Sequence, residues 1–169
     1  MWVTVVRHGE AGYASVDRSR TLTEGGRRDV AVAAACLADF SEQRQALPSL
    51  IVHSPYTRTV ETALLLAERF DDAPLIEDAA LTPDGAIEAV EGLLDRFAEA
   101  SPSQSHSHVV LVSHQPLVSH LTAHFLGQAH PVPSMLPAAL TTFSLAPVGP
   151  GLGRLLCWAA PPNYALNLQ

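Results

Sequence analysis

Apolar residues fall into two rhythms along the chain. Short unbroken runs rich in β-branched residues stand at 2–6 (WVTVV), 49–54 (SLIVHS) and 109–114 (VVLVSH). Such runs read as strands buried on both faces. Between them, apolar residues recur three or four apart, the spacing of one helix face. Segment 22–40 opens with Thr23 as an N-cap and has an Ala-rich body. Segments 56–70, 85–100 and 116–127 repeat the helical rhythm, and the last stops at Gly127. APLIED (73–78) is a weak further strand, and SPSQSHSH (101–108) reads as a polar loop. LTTFSLAP (140–147) and GRLLCWAA (153–160) flank a Gly/Pro turn and read as a hairpin. Strands alternating with helices predict an α/β three-layer sandwich: a mostly parallel central sheet, helices on both faces and a C-terminal β-hairpin. No repeat or linker divides the 169 residues, so a single domain over 1–169 is expected.

Composition narrows the chemistry. The formal net charge is −7, which argues against a general nucleic-acid binder. All ten basic residues are arginine, so classes that depend on a lysine, pyridoxal enzymes and ordinary P-loops among them, are excluded. Cys36 and Cys157 lie in apolar stretches and read as buried free thiols of a reducing compartment. The start lacks the pattern of a secretory signal, and no run approaches the ~20 apolar residues that span a bilayer. A cytoplasmic protein with no membrane partner is expected.

Three strand ends share a feature. The first runs into Arg7-His8-Gly9, the second into His53-Ser54-Pro55 and a helix carrying Arg58, the third into Ser113-His114-Gln115. Open α/β sheets bind ligands at the carboxyl ends of their strands. Parallel strands bring Arg7, His8, Arg58 and His114 to one edge, beside helix N-termini, and so form an anion site. Phosphate is the anion that two guanidinium forks suit, because they position phosphorus for in-line attack. No Cys, Ser or Asp motif of the usual phosphatase kinds stands at these ends, so the available nucleophile is an imidazole. Neighbouring arginines push its pKa down and leave a lone pair free at neutral pH. The second imidazole can stay protonated over a bound dianion.

RHGE after the first strand, an Arg three residues after SP, and SH after a late strand resemble the histidine phosphatase superfamily, of phosphoglycerate-mutase-like fold. RTLTEGG, VHSPYTRTVETA, LTPDG and VLVSHQPLVSHL are similar to its SixA-type phosphohistidine phosphatases, nearly end to end. The resemblance implies that His8 attacks phosphorus and forms a phosphohistidine that water then hydrolyses. Arg7, Arg58 and His114 would hold the phosphoryl oxygens, with Arg20 and Gln115 as further phosphate contacts, and neither metal nor cofactor is needed. One departure stands out. Many superfamily phosphatases place a Glu, as general acid, where this chain has Ala80. Asp84 and Glu10 are the nearby candidate acids, and equally they read as solvated loop carboxylates.

Eight histidines invite a metal reading. His120 and His124 are spaced i, i+4, but HLTAH lacks the Glu of H-E-x-x-H and no third ligand follows, so a surface or half-buried pair is expected. His106 and His108 are expected to be solvated, and His53 either braces the site or packs as a polar residue. The expected function is a phosphatase for phosphohistidine on a signalling or phosphorelay protein, with no long insertion after Arg58 to cover the cleft. A broad small-molecule phosphomonoesterase and a catalytically inactive phosphate-binding module stand as alternatives, with a mutase and a metal hydrolase behind them.

Overall fold

The computed structural model of the chain describes residues 1–70, 73–100, 108–127, 133 and 135–168. Its central sheet has seven strands: β1 (Trp2–Arg7), β2 (Leu50–His53), β3 (Leu75–Glu77), β4 (His108–Ser113), β5 (Leu140–Leu145), β6 (Gly153–Ala159) and β7 (Asn167–Leu168), in the order β3-β2-β4-β1-β5-β6-β7. The four strands β1 to β4 run parallel; β5, β6 and β7 extend the sheet antiparallel. The β5–β6 hairpin stands where the Gly/Pro turn predicted it. The two-residue β7 has no counterpart in the sequence reading, because so short a strand carries no period.

Four helices link the strands: α1 (Glu24–Glu42), α2 (Thr57–Ala67), α3 (Ile87–Ala100) and α4 (Leu117–Leu126). Thr23 caps α1 as expected, its hydroxyl accepting from the Gly26 amide at 2.9 Å. Because side chains alternate along a strand, β1 and β4 serve both faces. Val6, Val110 and Val112 pack under α1 and α2 with Val30, Leu37, Phe40 and Leu66. Val3, Val5, Val109 and Leu111 pack under α3 and α4 with Leu94, Leu121 and Phe125. These three layers make the predicted sandwich. Truncating a fully buried residue such as Leu37 would cost about 2–5 kcal/mol.

His108 departs from its expectation. It opens β4 rather than a solvated loop, and it is fully buried. Its ring nitrogens meet the Ala46 carbonyl at 2.8 Å and Thr4 Oγ1 at 2.7 Å, so burial leaves no polar atom unpaired. His106 and most of the 101–108 segment lie outside the described residues. Cys157 is buried and Cys36 half-buried; both are free thiols, and burial pushes Cys157 up to about 11.

Candidate active site

The strand order makes the site. β2, β4 and β1 are neighbours, and the register pairs Arg7 with Ser113 and His53 with Val112. Their carboxyl ends therefore stand side by side. The turns are tied as the strands end: the His8 amide donates to the Ser113 carbonyl at 3.0 Å, and the Ser54 amide to the Val112 carbonyl at 3.3 Å. As a result the His8 and His114 rings meet edge to face, 5.0 Å between centroids. Arg58 enters from the first turn of α2. Together with Arg7, Arg20, Glu10, Asp17 and Gln115 they line one open cleft of about 360 Å³, which Pro83 and Pro137 border.

His8 is held in one tautomer. Its Nδ1 lies 2.7 Å from the Gly9 carbonyl, which can only accept, so Nδ1 carries the proton. Its Nε2 receives Arg58 Nε at 3.2 Å and must present a lone pair. The ring is therefore neutral. Burial, then the charges of Arg58, Arg7 and Arg20, push its pKa down to about 4, against an opposing pull from the Gly9 carbonyl.

His114 is pushed down to about 3, first by burial and then by His8 and Arg58. In the free cleft it is neutral rather than protonated, so the charged form expected from the sequence requires an anion to arrive. Its Nε2 shares a hydrogen bond with Ser54 Oγ, and its buried Nδ1 has no partner among the described residues. Tyr56 braces this wall: its ring lies 4.8 Å from the His114 ring and 4.7 Å from the Arg58 guanidinium carbon.

Arg7 donates through Nη1 to the Met135 carbonyl at 3.0 Å, while its buried Nε has no partner among the described residues. Gln115 donates to the same carbonyl at 3.1 Å and to Ser119 at 2.8 Å. Arg20 is anchored by the carbonyls of Gly12 at 2.7 Å and Ala11 at 3.1 Å. Asp17 joins the two halves of the wall, accepting from Arg20 Nη1 and Arg58 Nη2, both at 3.1 Å.

The two candidate acids separate. Glu10 lines the cleft, is exposed, and accepts from Thr23 Oγ1 at 2.7 Å. Asp84 is exposed, and the cleft wall beside it is Pro83. Ala80 sits in a short 3-10 turn, Ala79–Leu81, its amide capped by Asp78 Oδ1 at 2.8 Å. His53 is buried, with Nδ1 3.0 Å from the Ser54 carbonyl, outside the cleft lining. His120 is exposed, and His124 pairs with Glu91 at 2.7 Å. Among the described residues no group of three or more His, Cys, Asp or Glu could hold a metal ion, and no helix is long and apolar enough to cross a membrane.

Sequence reasoning missed Asp17, Ser54 and Tyr56. The signal for the last two was their place in HSPY, between a buried strand and the arginine helix. For Asp17 it was only the i, i+3 spacing to Arg20.

Known proteins resemble this chain in sequence and fold. Residues 3–85 match the family model described as histidine phosphatase superfamily (branch 1). The chain is 29% identical over 149 residues to the phosphohistidine phosphatase SixA of Escherichia coli, covering 88% of this chain and 84% of that one. It is 28% identical over 151 residues to a SixA homolog of Haemophilus influenzae, covering 83% and 85%. Among solved structures, the protein histidine phosphatase SixA complexed with tungstate superposes with a TM-score of 0.75 at 25% identity, over 95% of this chain and 97% of that one. A mycobacterial glucosyl-3-phosphoglycerate phosphatase shares the fold, with a TM-score of 0.62 at 22% identity over 85% and 92%. Over residues 3–85 the chain matches the histidine phosphatase superfamily, and the relatives it resembles over most of its length are SixA-type phosphatases.

Proposed function

We propose that this phosphatase removes phosphate from phosphohistidine on a protein, through a phosphohistidine intermediate on its own His8. The observation that carries the reading is the His8 ring: neutral, oriented by Gly9, and presenting Nε2 into an open cleft lined by three arginines. In the first step the Nε2 lone pair attacks phosphorus in line and the bond to the leaving nitrogen breaks. Arg58 exchanges its contact with Nε2 for a phosphoryl oxygen. Arg7, and His114 once it takes up a proton beside the dianion, would donate to the others, as both residues line the same cleft. Water then attacks phosphorus, releasing phosphate and restoring His8.

The leaving group favours the phosphoramidate substrate. An alkyl alkoxide leaves poorly without a proton, so an enzyme for sugar or serine esters needs a placed acid. This chain has Ala80 at the matching position, and Asp84 is outside the cleft lining. An imidazole leaves as a neutral group once its ring is protonated, near a reference pKa of about 6.5. A small-molecule phosphomonoesterase is the second reading, favoured by Glu10 on the cleft wall.

The test is a substrate series: a phosphohistidine protein, p-nitrophenyl phosphate, and phosphate esters of rising leaving-group pKa, with His8→Ala as control. Turnover should fall steeply along the ester series, and acid-quenched enzyme should carry acid-labile, base-stable phosphate on His8. Equal rates on alkyl and aryl phosphates would favour the second reading; full activity of His8→Ala would end both.

A further inference from the structure

Asp17 stands between the buried arginine and solvent. Its carbonyl accepts from Arg58 Nη1 at 2.8 Å, its Oδ2 from Arg58 Nη2 and its Oδ1 from Arg20 Nη1, both at 3.1 Å. The Arg58 side chain is 5% exposed and that of Asp17 57%. From His8 outward the order is imidazole, guanidinium, carboxylate, solvent. Arg20 first, and Arg58 with it, hold the Asp17 carboxyl below the usual carboxylate range, so it is anionic wherever the enzyme is folded at neutral pH.

An anion in this place opposes the binding of any phosphate. It repels the dianion, and it occupies N–H groups of Arg58 and Arg20 that would otherwise face phosphoryl oxygens. For phosphate esters in general its contribution is limited to holding Arg58 and Arg20 in place. The carboxylate becomes favourable when the leaving group presents a cationic N–H to the cleft mouth. In-line attack by His8 Nε2 puts the leaving group on the side of phosphorus away from His8, at the open side of a cleft whose lining includes the exposed Asp17 carboxylate. A phosphorylated imidazole carries phosphorus on one ring nitrogen and, once protonated, an N–H on the other.

We propose that Asp17 is a specificity-determining group that accepts a hydrogen bond from the free ring N–H of the departing imidazole. The role rests on the phosphohistidine reading above. In the protonated substrate the P–N bond breaks and its electron pair stays on the nitrogen that held phosphorus. The ring leaves as neutral imidazole, keeping the N–H on its other nitrogen, while the His8 Nε2 lone pair forms the new P–N bond. Asp17 stays ionised throughout and moves no proton. It favours the imidazolium form of the substrate and so supplies by charge what an ester-cleaving enzyme supplies with an acid.

The test compares wild type with Asp17→Asn on three substrates: 1-phosphoimidazole, its N3-methyl derivative and p-nitrophenyl phosphate. Asparagine keeps the size and one acceptor oxygen for the arginines but removes the charge. On phosphoimidazole kcat/KM should fall roughly 10- to 100-fold, the scale of one lost charge-assisted hydrogen bond. The methylated ring should lose less, because its charge remains but its N–H is gone. The KM for p-nitrophenyl phosphate should fall, because a competing anion has left. An equal loss on all three substrates would reduce Asp17 to positioning Arg58, and an unchanged rate on phosphoimidazole would equally overturn the role. If wild type turns over neither phosphoramidate, the substrate reading fails and this role fails with it.

Discussion

Arg58 has charge and geometry set by the same contacts. Only 4% of it is exposed, and its guanidinium meets three acceptors: His8 Nε2, the Asp17 carbonyl and Asp17 Oδ2. The Tyr56 ring closes one side. A planar fork spreads its donors over three nitrogens and so reaches three separated acceptors; an ammonium has its three N–H groups on one atom and cannot span them. Arg58→Ala should therefore lower kcat by roughly 10²–10³, the scale of one lost transition-state donor. Arg58→Lys should recover little of it, although it keeps the charge. Steady-state kinetics on an aryl phosphate decides the matter, and near-full rescue by lysine would show that charge alone was needed. Neither change should return His8 to an ordinary pKa, because burial outranks the Arg58 charge among the causes of its depression.

The loop after β1 shows how an element is aimed. Its Gly9 packs against Gly26 of α1: a Cβ on Gly9 would lie 2.7 Å from Val30 Cγ2 and 2.8 Å from the Gly26 carbonyl, and a Cβ on Gly26 would run into the Glu10 carbonyl. The close contact lets the Thr23 amide reach the Glu10 carbonyl at 2.9 Å and fixes the carbonyls of Ala11 and Gly12 that hold Arg20. Gly26→Ala gains up to about 1 kcal/mol of helix propensity but loses about 1–3 kcal/mol to overpacking against backbone, so a net loss is expected. Gly92→Ala on α3, where the nearest atom is the flexible end of Arg96 at 4.0 Å, should stabilise by about 0.5–1 kcal/mol. Urea midpoints of the two variants should move in opposite directions, and parallel shifts would refute the packing argument.

His8, His114 and Arg58 were legible because each follows a buried strand, and strand ends converge in a parallel sheet. Asp17 was not, because its partner Arg58 is 41 residues away and the loop between has no period. His108 was misread because its run of apolar residues starts at 109; the contacts that satisfy it lie 104 and 62 residues away in sequence.

The whole molecule carries a pH limit that follows from burying imidazoles. His8 and His108 are pushed down to about 4 and His114 to about 3, all three chiefly by burial. In the unfolded chain each would titrate near 6.5. Above 6.5 both states hold these rings neutral, and stability is flat with respect to them. As pH falls from 6.5 toward 4, the unfolded chain takes up protons that the folded one refuses. Each ring then removes up to about 1.4 kcal/mol of stability per pH unit, and the three together about 4. Protonation also relieves a net charge of −7, but that repulsion is spread over the surface and screened by salt, so the buried rings decide the sign. The carboxylate term from Asp17 belongs to a lower window, since its pKa lies below the ordinary value. Urea unfolding should therefore give a plateau above pH 7 and a steep fall between 6.5 and 4. His108→Gln loses contacts to Thr4 and Ala46, so its plateau should be lower, but its slope should be shallower by about 1.4 kcal/mol per pH unit. A slope that stays parallel to wild type would mean that His108 titrates alike in both states, and that its burial between Thr4 and Ala46 does not hold it neutral.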